Sequence, residues 1–271
     1  MKDLKAKITE DIKKTGYITE LKVAKILEKD KWETTFGQTY QDFDEGKSRE
    51  IDIVAYKVLN DKDVNLQLVF NLCIEIKHAP DHPWVIFMTK DSWASYEWSI
   101  LHCGECYREE LGTIFAPGDL NNKPLCRSDG KTGTSFYEAF KKSDATSKIF
   151  KALIGASKAA YFQKEQWGEH TDNTKYTAEG QVILEFFIPL VVAEGHLFEA
   201  HLKKDDVLVK ETSWIPIKLN YSSPNYSKDN RDLRFHPYLS TKGGLPAFLN
   251  LMGDWISLVY SNIKKRIKLL R

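Results

Sequence analysis

The chain has 271 residues, of which 42% are hydrophobic and 28% are charged, and its formal net charge is +1. This composition is typical of a soluble globular protein, and the length allows one large domain or two small ones. The small net charge argues neither for nor against a nucleic-acid partner, because local patches of charge matter more than their sum.

Nothing in the sequence predicts export or a membrane span. The N-terminal stretch MKDLKAKITEDIKK is charged and lacks the apolar segment of a secretory signal. The longest apolar run, over residues 182–193, contains Glu185 and Pro189 and is too short to cross a bilayer. Four cysteines in such a chain suggest reduced thiols rather than a disulfide framework. We therefore expect a cytoplasmic protein with no membrane partner.

The first predicted elements are helical. Apolar residues recur at steps of three and four over residues 2–29, and Gly16 interrupts the pattern, so that two helices are expected. The second helix carries Glu20 one turn from its N-terminus. Residues 32–36 then predict a short strand, and residues 37–48 predict a polar loop.

A β-hairpin is expected over residues 49–79, where two apolar, β-branched runs flank the turn-forming sequence NDKD. The first run contains Asp52, and the second contains Glu75 and Lys77. Because side chains alternate between the two faces of a strand, Glu75 and Lys77 share one face. Charged groups on so apolar a strand carry a high free-energy cost unless they are paired or bind a metal ion. The hairpin is therefore the first candidate site.

Less regular sequence follows the hairpin, and regular patterns then return. The predicted elements, in order, are an irregular insertion over 78–133 with short helices over 91–101 and 106–111, a helix over 136–167, strands over 182–193 and 197–202 joined by a turn at Gly195 and His196, a strand over 207–217, and a helix over 245–270. The sequence has no internal repeat and no clear linker, so a single elaborated domain over residues 1–271 is expected.

This order of elements resembles the restriction-endonuclease-like PD-(D/E)xK nuclease superfamily, whose core is a helix, a three-stranded meander, a helix and a strand. The resemblance covers residues 15–77 by motif, and extends to about residue 203 by the order of elements alone. It implies an α/β fold with a mixed central sheet flanked by helices. The core would comprise about 15–77 and 136–203, with a large insertion at 78–133 after the third strand and a C-terminal helical extension at 204–271.

The resemblance also implies which residues form the site. Asp52 matches the acid on the second strand, Glu75 and Lys77 match the (D/E)xK triplet on the third, and Glu20 matches the helical glutamate of some subgroups. Asp52, Glu75 and the backbone carbonyl of Ile76 would hold Mg²⁺, which Mn²⁺ can replace, because hard cations prefer oxygen ligands. Lys77 would orient or deprotonate the attacking water or stabilise charge on the phosphate, and Glu20 would hold a metal-bound water or a second ion.

Other interpretations of the same residues stay open. An E-x-K triplet alone occurs by chance in most proteins of this size, and Ile51 stands where the name of the motif has Pro. Without a metal, Asp52 and Lys77 would form a cross-strand ion pair with Glu75 near solvent. Glu50 shares the face of Asp52 and could replace it as a ligand, assist it, or be a solvated residue at the start of the strand.

Three cysteines in the predicted insertion have a spacing that suits a structural zinc site. Cys103 and Cys106 form a C-x₂-C pair, and Cys126 with His102 or another histidine could complete four ligands. The second half of the usual pattern is missing, so free structural thiols are the alternative.

Two further groups could contact nucleic acid. Cations that could meet phosphates, or simply suit a helix C-terminus, end the chain: Lys264, Lys265, Arg266, Lys268 and Arg271. Aromatic residues that could stack on bases, or pack in the interior, follow the hairpin: Trp84, Trp93, Tyr96 and Trp98.

The resemblance predicts a metal-dependent endonuclease that hydrolyses phosphodiester bonds, with DNA the favoured substrate and prokaryotic restriction or defence a suggested role. The family also contains enzymes that cleave RNA. Cutting both strands of a duplex with one site per chain favours a homodimer. The alternatives are a non-catalytic nucleic-acid-binding module of the same fold, and a nuclease subunit whose specificity or activation lies in a partner.

Overall fold

The structure is a computed structural model, and it describes residues 2–12, 15–90, 101–106, 125, 127, 129–141, 147–173, 182–221, 223–226 and 233–270. For residues 2, 3, 101–106, 167–173, 233, 234 and 270 it describes the backbone alone. The described elements, in chain order, are α1 Lys2–Ile12, α2 Tyr17–Lys29, β1 Glu33–Asp42, β2 Lys47–Asp61, β3 Leu66–Lys90, β4 Leu101–Cys106, β5 Lys131–Glu138, α3 Lys148–Asn173, β6 Val182–Lys203, β7 Asp206–Glu211, β8 Trp214–Pro216, β9 Leu219–Tyr221, β10 Leu233–Phe235, β11 Tyr238–Thr241 and α4 Leu245–Leu270.

A mixed, open sheet forms the centre of the molecule. Its described strands follow the order β1-β2-β3-β6-β11-β8, while β4 and β7 pair with β6, and β5 pairs with β3. The strands β1, β2 and β3 form an antiparallel meander, whereas β6 runs parallel to both β3 and β11. The strands β9 and β10 form a separate two-stranded sheet. The predicted α/β class with a mixed central sheet is therefore confirmed.

Helices cover both faces of this sheet. On one face, Phe70 of β3 and Phe186 of β6 stack with ring centroids 4.8 Å apart, and Trp255 of α4 meets both rings edge-on. On the other face, Cys73 and Phe187 pack with α3. Successive residues of β3 and β6 thus contribute to opposite cores, as the alternation of side chains along a strand requires. Because both faces of these two strands are buried, their sequences are nearly continuous runs of apolar residues.

The helical predictions at both ends of the chain are confirmed. A break at Gly16 separates α1 from α2, and the last helix occupies residues 245–270 as predicted. The last helix lies in the main core through Phe248, Met252 and Trp255, all fully buried. It is therefore an integral layer of the fold. Within the described residues, no helix has the length and apolarity that crossing a bilayer demands.

The prediction of a polar loop over residues 37–48 is wrong. The strand β1 continues to Asp42 and pairs with β2 from Lys47 onward, so only a tight turn separates them. The strand β1 is an edge strand in which Tyr40 and Asp42 are buried and the other polar side chains are exposed or half-buried. An edge strand needs no continuous apolar pattern, and for this reason hydrophobicity did not reveal it.

The strands β3 and β6 are also longer than predicted. The strand β3 extends to Lys90, inside the range that was assigned to the insertion, and there it pairs with β5. The strand β5 ends at Glu138 and α3 begins at Lys148, so the first part of the helix predicted over 136–167 is wrong. The turn predicted at Gly195 and His196 is wrong, because β6 runs through it unbroken. A Cβ atom at Gly195 would lie 2.4 Å from the carbonyl oxygen of Ala79, so this glycine permits a close approach of two strands.

Two short helices were predicted inside the insertion. Most of residues 91–101 and 106–111 lies outside the described residues, while Leu101 and Cys106 are the two ends of β4. The division into core, insertion and extension remains a prediction.

Candidate active site

The strands β2 and β3 part from each other in the middle of the sheet. Their ladder of paired residues ends at Ile53 and Ile74. Beyond this pair, β2 stays with β1 and β3 stays with β6. The next residue on each side of the opening is a carboxylate, Asp52 on β2 and Glu75 on β3. The sequence predicts these two acids as a pair, and the structure brings both to the same opening.

The carboxylate of Asp52 spans this opening. Its Oδ2 accepts a hydrogen bond of 2.6 Å from the backbone N–H of Ile76. The N–H and C=O groups of one strand residue point toward the same neighbouring strand, so the carbonyl of Ile76 also faces the opening. Asp52 and the Ile76 carbonyl, both predicted as ligands of a metal ion, therefore lie side by side.

Glu75 and Lys77 share one face of β3, as their spacing predicted. The Nζ of Lys77 donates a hydrogen bond to Oε1 of Glu75, and the two side chains are 29% and 16% exposed respectively. Burial raises the pKa of Glu75 to about 7, and the negative charges of Asp52 and Glu20 add to the effect while Lys77 opposes it. This carboxyl group is therefore partly protonated near neutral pH, which is unusual for a glutamate.

Glu20 approaches the same opening from the first turn of α2. Burial raises the pKa of its carboxyl group, the charges of Asp52 and Glu50 raise it further, and Lys77 lowers it. Glu20 forms no hydrogen bond with the other three predicted residues. Its place at the site therefore depends on how α2 is held.

A network centred on Glu194 holds the first turn of α2. Glu194 accepts hydrogen bonds from Thr19 of α2 and from the Nζ of Lys242, and it lies 2.9 Å from Nδ1 of His78. Although burial acts in the opposite direction, the bonds from Lys242 and Thr19 hold the pKa of Glu194 at about 2. The sequence pattern did not reveal Glu194, because the predicted strand ends at residue 193, one position before it.

Two glycines make room around the acids. The helix α3 passes over Glu75 at Gly155, where an added Cβ atom would lie 3.8 Å from Oε2 of Glu75 and from the hydroxyl of Tyr40. Burial, followed by the charge of Glu75, raises the pKa of Tyr40 to about 12. Gly37 lies opposite Asp52 on β1 with a φ of +61°, and an added Cβ would be 3.0 Å from the exposed Glu50 carboxylate.

The donor atoms at this opening suit a hard divalent cation. Every candidate ligand is an oxygen atom, and the three carboxylates of Glu20, Asp52 and Glu75 face the single positive charge of Lys77. Burial and, to a smaller extent, the neighbouring negative charges raise the pKa of Glu75, and a bound cation would favour its ionised form. As the side chains stand, no group of three His, Cys, Asp or Glu residues in the described part of the chain is arranged to hold an ion. Each carboxylate binds its present partner through one oxygen, Oδ2 of Asp52 and Oε1 of Glu75, and has a second oxygen that could bind an ion.

The metal-free interpretation from sequence analysis predicted an ion pair between Asp52 and Lys77. In the structure Lys77 instead forms an ion pair with Glu75, and Asp52 accepts a hydrogen bond from the backbone N–H of Ile76. The side chain of Glu75 is also mostly buried and does not lie at a solvated strand end.

The other candidates lie away from this opening or outside the described residues. Trp84 is only 1% exposed and packs in the core, so of the two alternatives for this residue the structure shows interior packing. At the basic C-terminus, Lys264 binds Asp61 at 2.5 Å. Candidates outside the described residues are Trp93, Tyr96, Trp98, Arg271, Cys126 and the side chains of His102, Cys103 and Cys106, so the zinc site remains a prediction.

Comparisons of the chain with models of protein families, with curated proteins and with solved structures found no match. The resemblance to the nuclease superfamily therefore rests on the residues and the geometry described above.

Proposed function

We propose that this chain is a metal-dependent endonuclease of the PD-(D/E)xK type, which hydrolyses phosphodiester bonds, with DNA as the favoured substrate and prokaryotic restriction or defence as a suggested role. One observation carries the proposal. Asp52, Glu75, Lys77 and the Ile76 carbonyl meet where β2 and β3 part, and the Glu75 carboxyl has a pKa of about 7. Perturbed carboxylates grouped in this way around a lysine are typical of catalytic sites.

The order of the elements supports the same family. A helix bearing Glu20 precedes an antiparallel meander of β1, β2 and β3, after which α3 leads to β6, which is parallel to β3. This is the order expected of a restriction-endonuclease-like core. The cofactor in this proposal is Mg²⁺, with Mn²⁺ as a substitute, held by Asp52, Glu75 and the carbonyl of Ile76.

Each residue has a role that follows from its position. When bound, the divalent ion supplies a Lewis acid for the phosphate and lowers the pKa of water. Glu75 would hold the ion through Oε2 while its Oε1 accepts the hydrogen bond from Lys77. The Lys77 ammonium would orient the attacking water or stabilise negative charge on the phosphate. Glu20 is placed to accept a hydrogen bond from a water molecule on the α2 side.

Three alanine variants test this assignment. Asp52→Ala, Glu75→Ala and Lys77→Ala are each expected to reduce Mg²⁺- or Mn²⁺-dependent cleavage by at least about a hundredfold, the usual contribution of a group that moves protons or stabilises charge in the transition state. Circular dichroism should show an intact fold. Glu33→Ala is the control, because Glu33 is an exposed acid on β1 that contacts Tyr56 and not the site. Full activity in any of the three variants would remove the catalytic assignment.

A panel of substrates defines what is cut. Supercoiled, linear and single-stranded DNA and RNA should be incubated with Mn²⁺, beside Lys77→Ala and an EDTA control. For duplex substrates the proposal includes a homodimer, in which each chain supplies one site and cuts one strand of the duplex. Activity that appears only after a co-purified partner is added would identify a subunit of a larger nuclease.

One observation favours a second candidate, a non-catalytic nucleic-acid-binding module. The side chains of Glu75 and Lys77 satisfy each other, and Asp52 is satisfied by the backbone. Such a closed set of contacts can serve structure alone. Binding to DNA that persists in EDTA, with no cleavage in any divalent metal, would support this candidate over the nuclease.

A further inference from the structure

The strand β7 is an exposed edge with an apolar centre. Among the described strands it pairs with β6 alone. All six of its residues are exposed, and Val207, Leu208 and Val209 are 55%, 52% and 51% exposed. Unpaired strand edges with exposed apolar side chains are templates for pairing with another strand.

The hairpin geometry shows which backbone groups are free. Lys203 pairs with Asp206 across a two-residue turn, so these two residues form a hydrogen-bonded pair and every second pair along the ladder does the same. Val207 and Val209 fall between those pairs, and their N–H and C=O groups therefore point away from β6. In agreement with this, the N–H of Val207 donates to the side chain of Asp206 and not to β6.

We propose that β7 pairs antiparallel with β7 of a second copy of this chain, about a two-fold axis at Leu208. In this register Val207 of each copy exchanges both backbone hydrogen bonds with Val209 of the other, and the two Leu208 side chains meet at the axis. Asp206 faces Lys210 of the other copy at both ends, so the opposite charges pair twice. The N–H of Val207 then donates across the interface, which leaves the Asp206 carboxylate to bind Lys210.

The charges select this register over its neighbours. Only shifts of two residues keep the outward backbone groups paired. A shift in one direction places Lys210 against Lys204 of the other copy, and like charges directly opposite are destabilising. A shift in the other direction places Asp206 against Thr212 and removes both ion pairs. The sequence of β7 is therefore complementary to itself in one alignment.

A short strand edge buries little surface, and interfaces below about 1,200 Å² are usually weak and transient. We therefore expect a dimer that depends on concentration. The inference does not depend on the proposed function, because it concerns an edge on the opposite side of β6 from β3, and it stands whether or not the chain cleaves nucleic acid.

Charge reversal tests the register. Sedimentation equilibrium of the full chain, from low micromolar to several hundred micromolar, should show a monomer–dimer equilibrium. Asp206→Lys and Lys210→Asp should each raise the dissociation constant by about tenfold or more, because each turns two attractive pairs into two repulsive ones. The double variant should return to within about threefold of the parent. A structural defect caused by either substitution would persist in the double variant, so this rescue is specific to the pairing.

Cross-linking tests the axis. Leu208→Cys should form an intermolecular disulfide under mild oxidation, because residues opposed in a non-hydrogen-bonded pair have Cα atoms about 4.5 Å apart. Glu211→Cys is the matched control, since Glu211 is exposed on the same strand, takes no part in the Asp206–Lys210 pairs, and lies far along the strand from its counterpart in the other copy. The parent chain, with its four native cysteines, gives the background. A parent that stays monomeric at every concentration, or a dimer unaffected by changes at 206, 208 and 210, would overturn the proposal.

Discussion

A single carboxyl group shows how this fold controls protonation. Glu75 is buried beside two other acids, and these conditions together raise its pKa to about 7 in spite of the bond from Lys77. The folded chain therefore retains a proton that the unfolded chain loses near the ordinary value of 4.5. Stability contributed by the neutral form is complete below the unfolded pKa and is lost as the pH rises through about 7.

Glu75→Gln should make this loss of stability measurable. Because glutamine does not ionise, the variant in EDTA should gain about 3 kcal/mol relative to the parent between roughly pH 4 and pH 8, which is the energy that separates a pKa of 4.5 from one of about 7. Urea unfolding at several pH values measures the difference. Glu33→Gln, at an exposed position, should show no such trend. A stability difference that does not change with pH would contradict the raised pKa.

The helix α3 meets the site at a residue with no side chain. A glycine in the middle of a helix is unfavourable by up to about 1 kcal/mol relative to alanine, so Gly155 needs a local reason. The space above it is filled by the Glu75 carboxylate and the Tyr40 hydroxyl. A Cβ atom would reach both at ordinary contact distance, whereas a longer side chain would have to displace them.

Two substitutions at Gly155 should therefore have opposite effects. Gly155→Ala is expected to stabilise the protein by about 0.5–1 kcal/mol through helix propensity and to leave cleavage unchanged. Gly155→Leu should destabilise it by about 1–3 kcal/mol and abolish metal-dependent activity, because its side chain intrudes on Glu75. Gly253 of α4, which has no atom within 4 Å of an added Cβ, is the control position. Equal effects of leucine at 155 and 253 in thermal unfolding and cleavage would show that the space above Gly155 is unimportant.

The helices near the two ends of the chain were easier to predict than the strands, whereas α3 begins at Lys148, twelve residues after its predicted start. The spacing of apolar residues predicted both ends of α4 correctly, because the buried face of an amphipathic helix repeats every three or four residues in the sequence of the helix itself. The strand β1 carries few apolar residues since it lies at an edge, and Gly195 suggested a turn although it serves a close contact with Ala79. In both cases the deciding interaction is with a strand that the local sequence does not contain.

A buried ionic cluster joins parts of the molecule that are far apart in sequence. The Nζ of Lys158 on α3 binds Asp42 at 2.7 Å and Asp44 at 2.8 Å, at the turn between β1 and β2. Tyr221 and Ser223 donate hydrogen bonds to the same Asp44. The side chains of Lys158 and Asp42 are only 6% and 4% exposed. The cluster therefore connects the meander that carries Asp52 with the helix that covers Glu75.

Lys158→Met should weaken the whole fold. Removing one partner of a buried ion pair leaves uncompensated charge, which typically costs about 3–5 kcal/mol. Urea denaturation should report this loss in a single cooperative transition. Lys151→Met is the matched control on the same helix, because Lys151 is exposed, and it should change stability by less than about 0.5 kcal/mol. Similar losses for the two variants would mean that the cluster does not hold the elements together.

The sequence was sufficient to predict the α/β class and to single out Asp52, Glu75 and Lys77, because an acid or a lysine within an apolar run is visible in the run itself, whereas Glu20 was singled out by the resemblance to the nuclease superfamily. It was not sufficient to predict the positions of Glu194, Tyr40, Gly155 and Lys158 around that group. Tyr40 and Gly155 lie beside Glu75, and Glu194 and Lys158 hold the elements around the group, through contacts between residues separated by tens to more than a hundred positions. Such contacts follow from the packing of the complete core, which local periodicity does not record.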